Sequence, residues 1–481
     1  VVQESVSDVK TYGLPHDQNG NGVPFQNSYF TTASRKWYPN ILKSVETLIG
    51  NVASTTEFDQ FDDHTGQPLR AESSNGYGER VRLEAIPAYE EYATLGSKAL
   101  DLTHTNLLGA IAATKTTVSD DNGASWEVLN ATASTWGNSW KYREKVGNAY
   151  ETVLETNPDR MFWRTGESHS WKGYLHPDGT FDKAHNGTAF DEYFDLANPS
   201  GGGWEQISEI TLFSRNSRPL EAKDINGRYL SSKLGYGDQQ MVLANCTNAR
   251  YTEFAFSGAE DPISGTNYFG GEVKGYNNNL NSDPAYVHTG QRSLRLGQGI
   301  QYGFFYGGEI GNSDNDEFKP GRTYRANVWI RMPAGQLPGT YSVQLYGHLF
   351  DASGNTVYWT NANAQSSTTF KAGNWYLLTL DIPLDQYPNA KSLHFGTWLP
   401  GGPNSATVYL DDFRVQPLDG KMVSFTYDPQ TGRVVEQLNA DHLASRFLRD
   451  EAGRIVETQK EYQAGFRRVE QRFQNFARDI E

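Results

Sequence analysis

At 481 residues with 37% hydrophobic side chains, the chain is too long for one core, and two to four domains are expected. A formal net charge of −15 argues against nucleic-acid binding and against docking on anionic membranes. One cysteine, Cys246, excludes an intrachain disulfide, and no apolar run reaches transmembrane length.

Glycine (47), tyrosine (27), phenylalanine (24) and tryptophan (11) are abundant and methionine is scarce (4). This composition suits short strands joined by tight turns, so the expected class is all-β and multidomain. The acidic surface is compatible with Ca²⁺ and with neutral polymers, and equally serves solubility. Cysteine poverty fits the cytosol or a bacterial exterior. Val1 opens the chain with no signal-type segment, so a processed terminus or an excised piece is expected. Sequons stand at Asn130, Asn186 and Asn245, a triplet common by chance.

Residues 1–56 read as a turn-rich segment with one short helix. Asp17, Asn19 and Asn21 alternate as in the first half of a Ca²⁺ loop, but position 12 of such a loop is Ser28 rather than glutamate. A plain turn is the alternative there. Residues 57–254 read as β-hairpins. Asp62-Asp-His-Thr-Gly, Asp120-Asp-Asn-Gly, His176-Pro-Asp-Gly and Asp224-Ile-Asn-Gly each supply the glycine that a hairpin turn needs.

Residues 255–417 read as a separate sandwich. Alternating apolar and polar runs from His288, Tyr324, Tyr341, Trp375 and Thr407 mark its strands. Residues 418–458 return to hairpins, at Tyr427-Asp-Pro-Gln-Thr-Gly-Arg-Val-Val-Glu and Arg449-Asp-Glu-Ala-Gly-Arg-Ile-Val-Glu. In 459–481, Tyr462, Phe466, Val469, Phe473, Phe476 and Ile480 recur at spacings of four and three, which predicts a short amphipathic helix.

Two resemblances follow from these residues. The Tyr427 unit resembles the YD repeat of RHS-type proteins, with Gly432-Arg433 in place. The Arg449 unit matches in part, since arginine stands where the repeat has tyrosine. The whole chain is similar to large RHS-like secreted surface proteins of the Bacteroidetes. The order of Glu260, Thr289-Gly-Gln-Arg-Ser-Leu, Asn374-Trp and Leu410-Asp-Asp-Phe resembles jelly-roll carbohydrate-binding modules. The first resemblance implies β-sheet shells or filaments. The second implies a glycan ligand and a structural Ca²⁺ between the first and last strands.

Carried onto this chain, the implied metal ligands are Glu260, Asp411 and Asp412, supplying hard oxygen. The alternative is surface acids flanking a bulge. Asn312-Ser-Asp-Asn-Asp-Glu is a further acidic loop. Sugar stacking calls for exposed rings beside hydrogen-bonding groups, and the candidates are Tyr302, Tyr306, Tyr346, His348, Trp359 and Trp398, with Phe304 and Phe305 nearby. For any one of them, burial in the core is the competing reading.

Catalysis has little support. Asp62-Asp63, Glu90-Glu91, Asp120-Asp121 and Asp411-Asp412 are sequence neighbours, which on a strand point to opposite faces, whereas a glycosidase needs two acids facing one cleft. His104, His169, His176 and His185 are scattered, and no metalloprotease, nucleophile-elbow or phosphate-loop motif appears. Cys246 reads as a small apolar core residue.

The expectation is a non-catalytic, secreted or cell-surface scaffold carrying a glycan-binding jelly roll, partnered by polysaccharide and by other chains or further parts of a longer chain. The first alternative is a purely structural subunit of a surface assembly without a glycan ligand. The second is a polysaccharide-active enzyme.

Overall fold

The aspartate–glycine turns at 224–227, 428–432 and 450–453 fold by one device. At Asp224, Asp428 and Asp450 the carboxylate accepts backbone N–H groups two to four residues on, and the glycine near the end of the turn takes a positive φ (74°, 65° and 78° at Gly227, Gly432 and Gly453). The aspartate side chain thus stands in for a backbone turn, and only glycine enters the left-handed region without cost. Strands therefore follow one another as hairpins, and the chain is all-β with several antiparallel sheets.

This computed structural model describes residues 5–8, 32–35, 41–49, 52–74, 79–146, 149–172, 174–175, 181–182, 184–185, 188–189, 204–236, 241–275, 279–332, 343–364, 369–400 and 407–472. The Asp17 loop, Asn186, His176 and the 473–481 end of the expected helix lie outside the described residues.

The chain divides into two units, Val1–Ser134 with His169–Glu205, and Thr135–Ser168 with Gln206–Glu481. In the first, Ser44–Ile49, Val52–Phe61, Pro68–Ser74, Arg80–Pro87, Ile111–Ser119 and Glu127–Gly137 pair antiparallel in sequence order. Ala131, Ala133, Trp171 and Trp204 form a small core there.

In the second unit a similar meander runs from Glu205–Phe213 through Pro219–Asp224, Tyr229–Gly235 and Met241–Thr247. Its next neighbour is not the next segment of chain. Met241–Thr247 pairs with Lys421–Tyr427, and the meander then continues through Val434–Leu438, Ala444–Arg449 and Ile455–Tyr462 to Gly465–Gln471. The whole of 248–420 is thus an insertion between two adjacent strands of one sheet. Tyr427 reaches back across that junction, donating its hydroxyl to the Val242 carbonyl at 2.7 Å. Arg449, at the matching place in the next unit, donates to the Val434 carbonyl at 3.1 Å, a longer side chain making the same backward tie.

The insertion is a two-layer sandwich. One sheet, seven-stranded, has Ala255–Ser257, Ser293–Leu296 and Thr323–Arg331 all bonded to Val408–Pro417, with Trp375–Pro383 beyond. The other is four-stranded, in the order Tyr302–Glu309, Ser392–Trp398, Gln344–Phe350, Thr356–Asn363. Between them lies the largest core of the described residues, including Phe304, Val328, Leu345, Leu393, Phe395 and Phe413.

Part of the outer face of the seven-stranded sheet is covered by the hairpin meander. Arg414 donates to the carbonyls of Asn439 and Ala440, and Trp329 Nε1 donates to that of His442. Beside this seam Cys246 is fully buried among Leu243, Phe254 and Met422, and burial pushes its thiol up to about 12.

The expected C-terminal helix is corrected. Ile455–Tyr462 and Gly465–Gln471 form a hairpin, with Gly465 at φ 95° closing its turn. Spacings of four and three are read equally by a strand when a turn interrupts them, as Gln463-Ala464 does here. Pairing with Ala444–Arg449, and Phe466 packed under the Arg446 guanidinium at 4.1 Å, outweigh the helical pattern.

Candidate functional site

Strand alternation sorts the four-stranded sheet into two faces. Along Gln344–Phe350 the residues alternate between half-buried and buried without exception. Leu345, Gly347 and Leu349 face the core, so Gln344, Tyr346, His348 and Phe350 face outward. Register carries this outward face across the sheet. Gln344 lies opposite Trp398, Tyr346 opposite Gly396, and His348 opposite His394 on one side and Trp359 on the other. Tyr302 lies opposite Trp398, and after a bulge Phe305 lies opposite Gly396.

Five of the six predicted glycan residues therefore share one face: Tyr302, Tyr346, His348, Trp359 and Trp398. Tyr302 and Trp359 are 54% and 42% exposed. The expectation for Tyr306 is corrected. The bulge between Tyr302 and Phe305 shifts the alternation, so Tyr306 turns inward, 4% exposed, with its hydroxyl donated to the Thr252 carbonyl. Phe304 is likewise core.

Rings on this face form a connected platform. His348 and Phe350 are 3.8 Å apart by centroid, Phe350 and His394 5.0 Å, and His394 and Phe305 5.1 Å. The backbone is built to accept them. A Cβ at Gly396 would stand 2.5 Å from the Tyr346 hydroxyl, so only glycine lets that ring lie across the next strand. Burial pulls the His348 and His394 imidazoles down, and for His394 the His348 and Lys274 charges add to this.

Two facing residues carry unused polar atoms. Trp398 Nε1 and Gln344 Oε1 are buried and have no hydrogen-bond partner among the described residues. A donor and an acceptor side by side at a register pair, next to aromatic rings, are what a sugar hydroxyl would satisfy. Beyond Tyr302 the bulge opens a cavity of about 150 Å³ lined by Tyr302, Phe305, Tyr346, Thr397, Asn267 and Lys274. Gln344, His394 and Lys274 were not anticipated. Their signal is present only as strand parity, since parity places a residue on a face once one neighbour's face is known.

The three predicted metal ligands are brought together elsewhere in the sandwich. Around Gly258, a Cβ would meet Asp412 Oδ1 at 3.1 Å, Asp411 Oδ1 at 3.7 Å and Glu260 Cγ at 3.9 Å. Each carboxylate already accepts hydrogen bonds. Glu260 takes the N–H groups of Gln291 and Arg292, Asp411 those of His288 and Asp412, and Asp412 the Thr289 hydroxyl. Among the described residues, no three His, Cys, Asp or Glu side chains converge as a metal-ligand set. His288 sits between Asp412 and Glu461, at 2.6 and 2.8 Å. Burial pushes the Glu260 carboxyl up to about 7, and raises Asp411 well above the usual carboxylate range, with the Asp412 charge adding to it. Carboxyls raised in this way take up a proton more readily than a free acid, which relieves the repulsion among them.

No protein-family model matches the chain, and no curated protein matches it in sequence. Several solved structures are similar to part of it. The CBM22-1 xylan-binding domain from Paenibacillus barcinonensis Xyn10C is 12% identical at a TM-score of 0.23, the match covering 34% of this chain and 92% of that one. The C-terminal family 22 carbohydrate-binding module of Clostridium thermocellum Xyn10B is 13% identical at 0.21, covering 35% and 87%. A CBM4 structure is 13% identical at 0.19, covering 34% and 94%.

Proposed function

We propose that the outward face of the four-stranded sheet binds a glycan, and that the chain is a non-catalytic secreted or cell-surface protein of the RHS-like Bacteroidetes type whose hairpin sheets carry this module. The observation that carries the reading is the juxtaposition of Trp398 Nε1 and Gln344 Oε1, both without a hydrogen-bond partner among the described residues, on the face that carries the aromatic rings. Apolar ring faces stack on the C–H faces of pyranose rings, and the two polar atoms then gain the bonds they lack.

Polysaccharide pull-down and glycan-array binding of the full chain test this. Trp359→Ala and Tyr302→Ala are each expected to weaken binding by roughly tenfold or more, since a lost stacking ring is worth about 1–2 kcal/mol. Binding that ignores both changes would place the ligand elsewhere.

The structural alternative, a surface-assembly subunit with no glycan ligand, draws on a different observation. The opposite sheet of the sandwich is tied to the hairpin meander through Trp329, Arg414 and His288. A module held this way serves as a rigid spacer whether or not it binds sugar. Silence of the folded chain across the glycan panel would favour it.

We further propose Ca²⁺ at Glu260, Asp411 and Asp412. The gathering of these three carboxyl groups around Gly258 supports it, and hard carboxylate oxygens suit the ion. The ion's contribution would be to neutralise the acids and staple the first and last strands. Millimolar Ca²⁺ is expected to raise the unfolding temperature by several degrees, most clearly above pH 7 where Glu260 is ionised. An equal shift in Asp411→Asn and Glu260→Gln would remove calcium from these residues.

A further inference from the structure

The cavity beside Tyr302 has a feature that a neutral sugar does not use. Lys274 lines it, exposed, and its backbone pairs with that of Phe305 in both directions, at 2.8 and 2.9 Å. This pairing extends the four-stranded sheet past its edge strand and fixes where the lysine stem leaves. The ammonium lies 5.5 Å from the Tyr268 ring and 5.9 Å from the Phe305 ring. Among the described residues no carboxylate comes within ion-pair distance of it.

The acids in the neighbourhood are engaged elsewhere. Glu272, which acts on Tyr268, is held by Arg143 and Lys233. Glu317 accepts the backbone N–H of Glu309. A second lysine, Lys145, stands 5.8 Å from the Tyr268 ring. The Lys274 charge reaches His394 as well, adding to the burial that lowers its imidazole. So in a chain of net charge −15, the end of the aromatic face at Tyr302 and Phe305 is locally positive. A lysine kept unpaired beside aromatic rings and a one-ring cavity is poised for an anion carried on a sugar.

Resting on the glycan reading above, we infer that the ligand is an acidic polysaccharide, whose carboxylate or sulfate ester pairs with Lys274 while its ring sits against Tyr302 and Phe305.

The test uses the full chain and matched polysaccharides. Polygalacturonate and glucuronoxylan are each set beside their carboxyl-reduced forms, and carrageenan beside its desulfated form. At least one acidic member is expected to bind about fivefold more tightly than its neutral counterpart, the factor an exposed ion pair of about 1 kcal/mol supplies, and the difference should shrink as salt rises. Lys274→Met keeps the stem and removes the charge. It is expected to lower acidic binding toward the neutral level and to remove the salt dependence of the difference. The carboxyl-reduced and desulfated arms tell which anion is read.

Equal wild-type binding of acidic and neutral partners would overturn the inference and leave the glycan reading standing. A charge preference untouched by Lys274→Met would equally overturn it. Failure of a folded chain to bind any member would end both.

Discussion

Glu272→Ala is expected to destabilise the second unit by about 3–5 kcal/mol in urea unfolding of the full chain. Arg143 donates through Nε and Nη2 to the two Glu272 oxygens, both at 2.9 Å, and Lys233 Nζ lies 3.1 Å away. The arginine and lysine side chains are 1% and 0% exposed. Removing the carboxylate strands two cations in a dry interior, where neither recovers its hydration. The network also joins distant parts of the chain, since Arg143 and Lys233 belong to hairpin strands and Glu272 to the inserted sandwich. Lys233 is the weaker partner. Its ammonium has a carboxylate at ion-pair distance yet no aligned hydrogen bond, and burial pulls it down to about 8.

The same residue predicts the acid limb of stability. Despite burial, Arg143 and Lys233 hold the Glu272 carboxyl down at about 2, below its ordinary value of 4.5. A folded-state value below the unfolded one means that the stabilisation is complete above about 4.5 and is lost as pH falls toward 2. Unfolding free energy should therefore drop across that window. In Glu272→Gln the drop should be shallower, because its titrating group is gone. An acid limb of unchanged slope in that variant would show that other carboxylates govern acid unfolding.

Trp329→Ala is the second large effect, at about 3–5 kcal/mol. Its indole is fully buried on the outward face of the seven-stranded sheet, packed with Ala372 and Trp375, 4.6 Å from the His288 ring and bonded to the His442 carbonyl at 3.1 Å. The side chain thus fills the seam where the meander covers the sandwich. Its loss is expected to loosen that seam more than either body. Calorimetry should then show the second unit melting in two steps, and limited proteolysis should cut first at the 248 or 420 junction. A wild-type profile in Trp329→Ala would mean that Arg414 and His288 hold the seam without it.

Much of this architecture was legible in the residues. The Asp-x-x-Gly turns declared hairpins because a carboxylate three or four residues before a glycine can replace a backbone turn wherever it occurs. The alternation in 344–350 declared a half-buried strand for the same local reason, and five of the six ring candidates share its outward face. Local rules stopped where parity changed. One bulge between Tyr302 and Phe305 carried Tyr306 into the core, and one glycine turn at Gly465 converted a helical spacing into a hairpin.

What only the tertiary structure decided depends on contacts between residues far apart in sequence. Pairing of Met241–Thr247 with Lys421–Tyr427 makes one sheet from two stretches separated by the sandwich, and no local signal marks strand partners across such a gap. The same holds for Glu272 between Arg143 and Lys233, His288 between Asp412 and Glu461, and Lys274 beside Phe305. Each depends on which surfaces pack together, a long-range energy that composition and period do not encode.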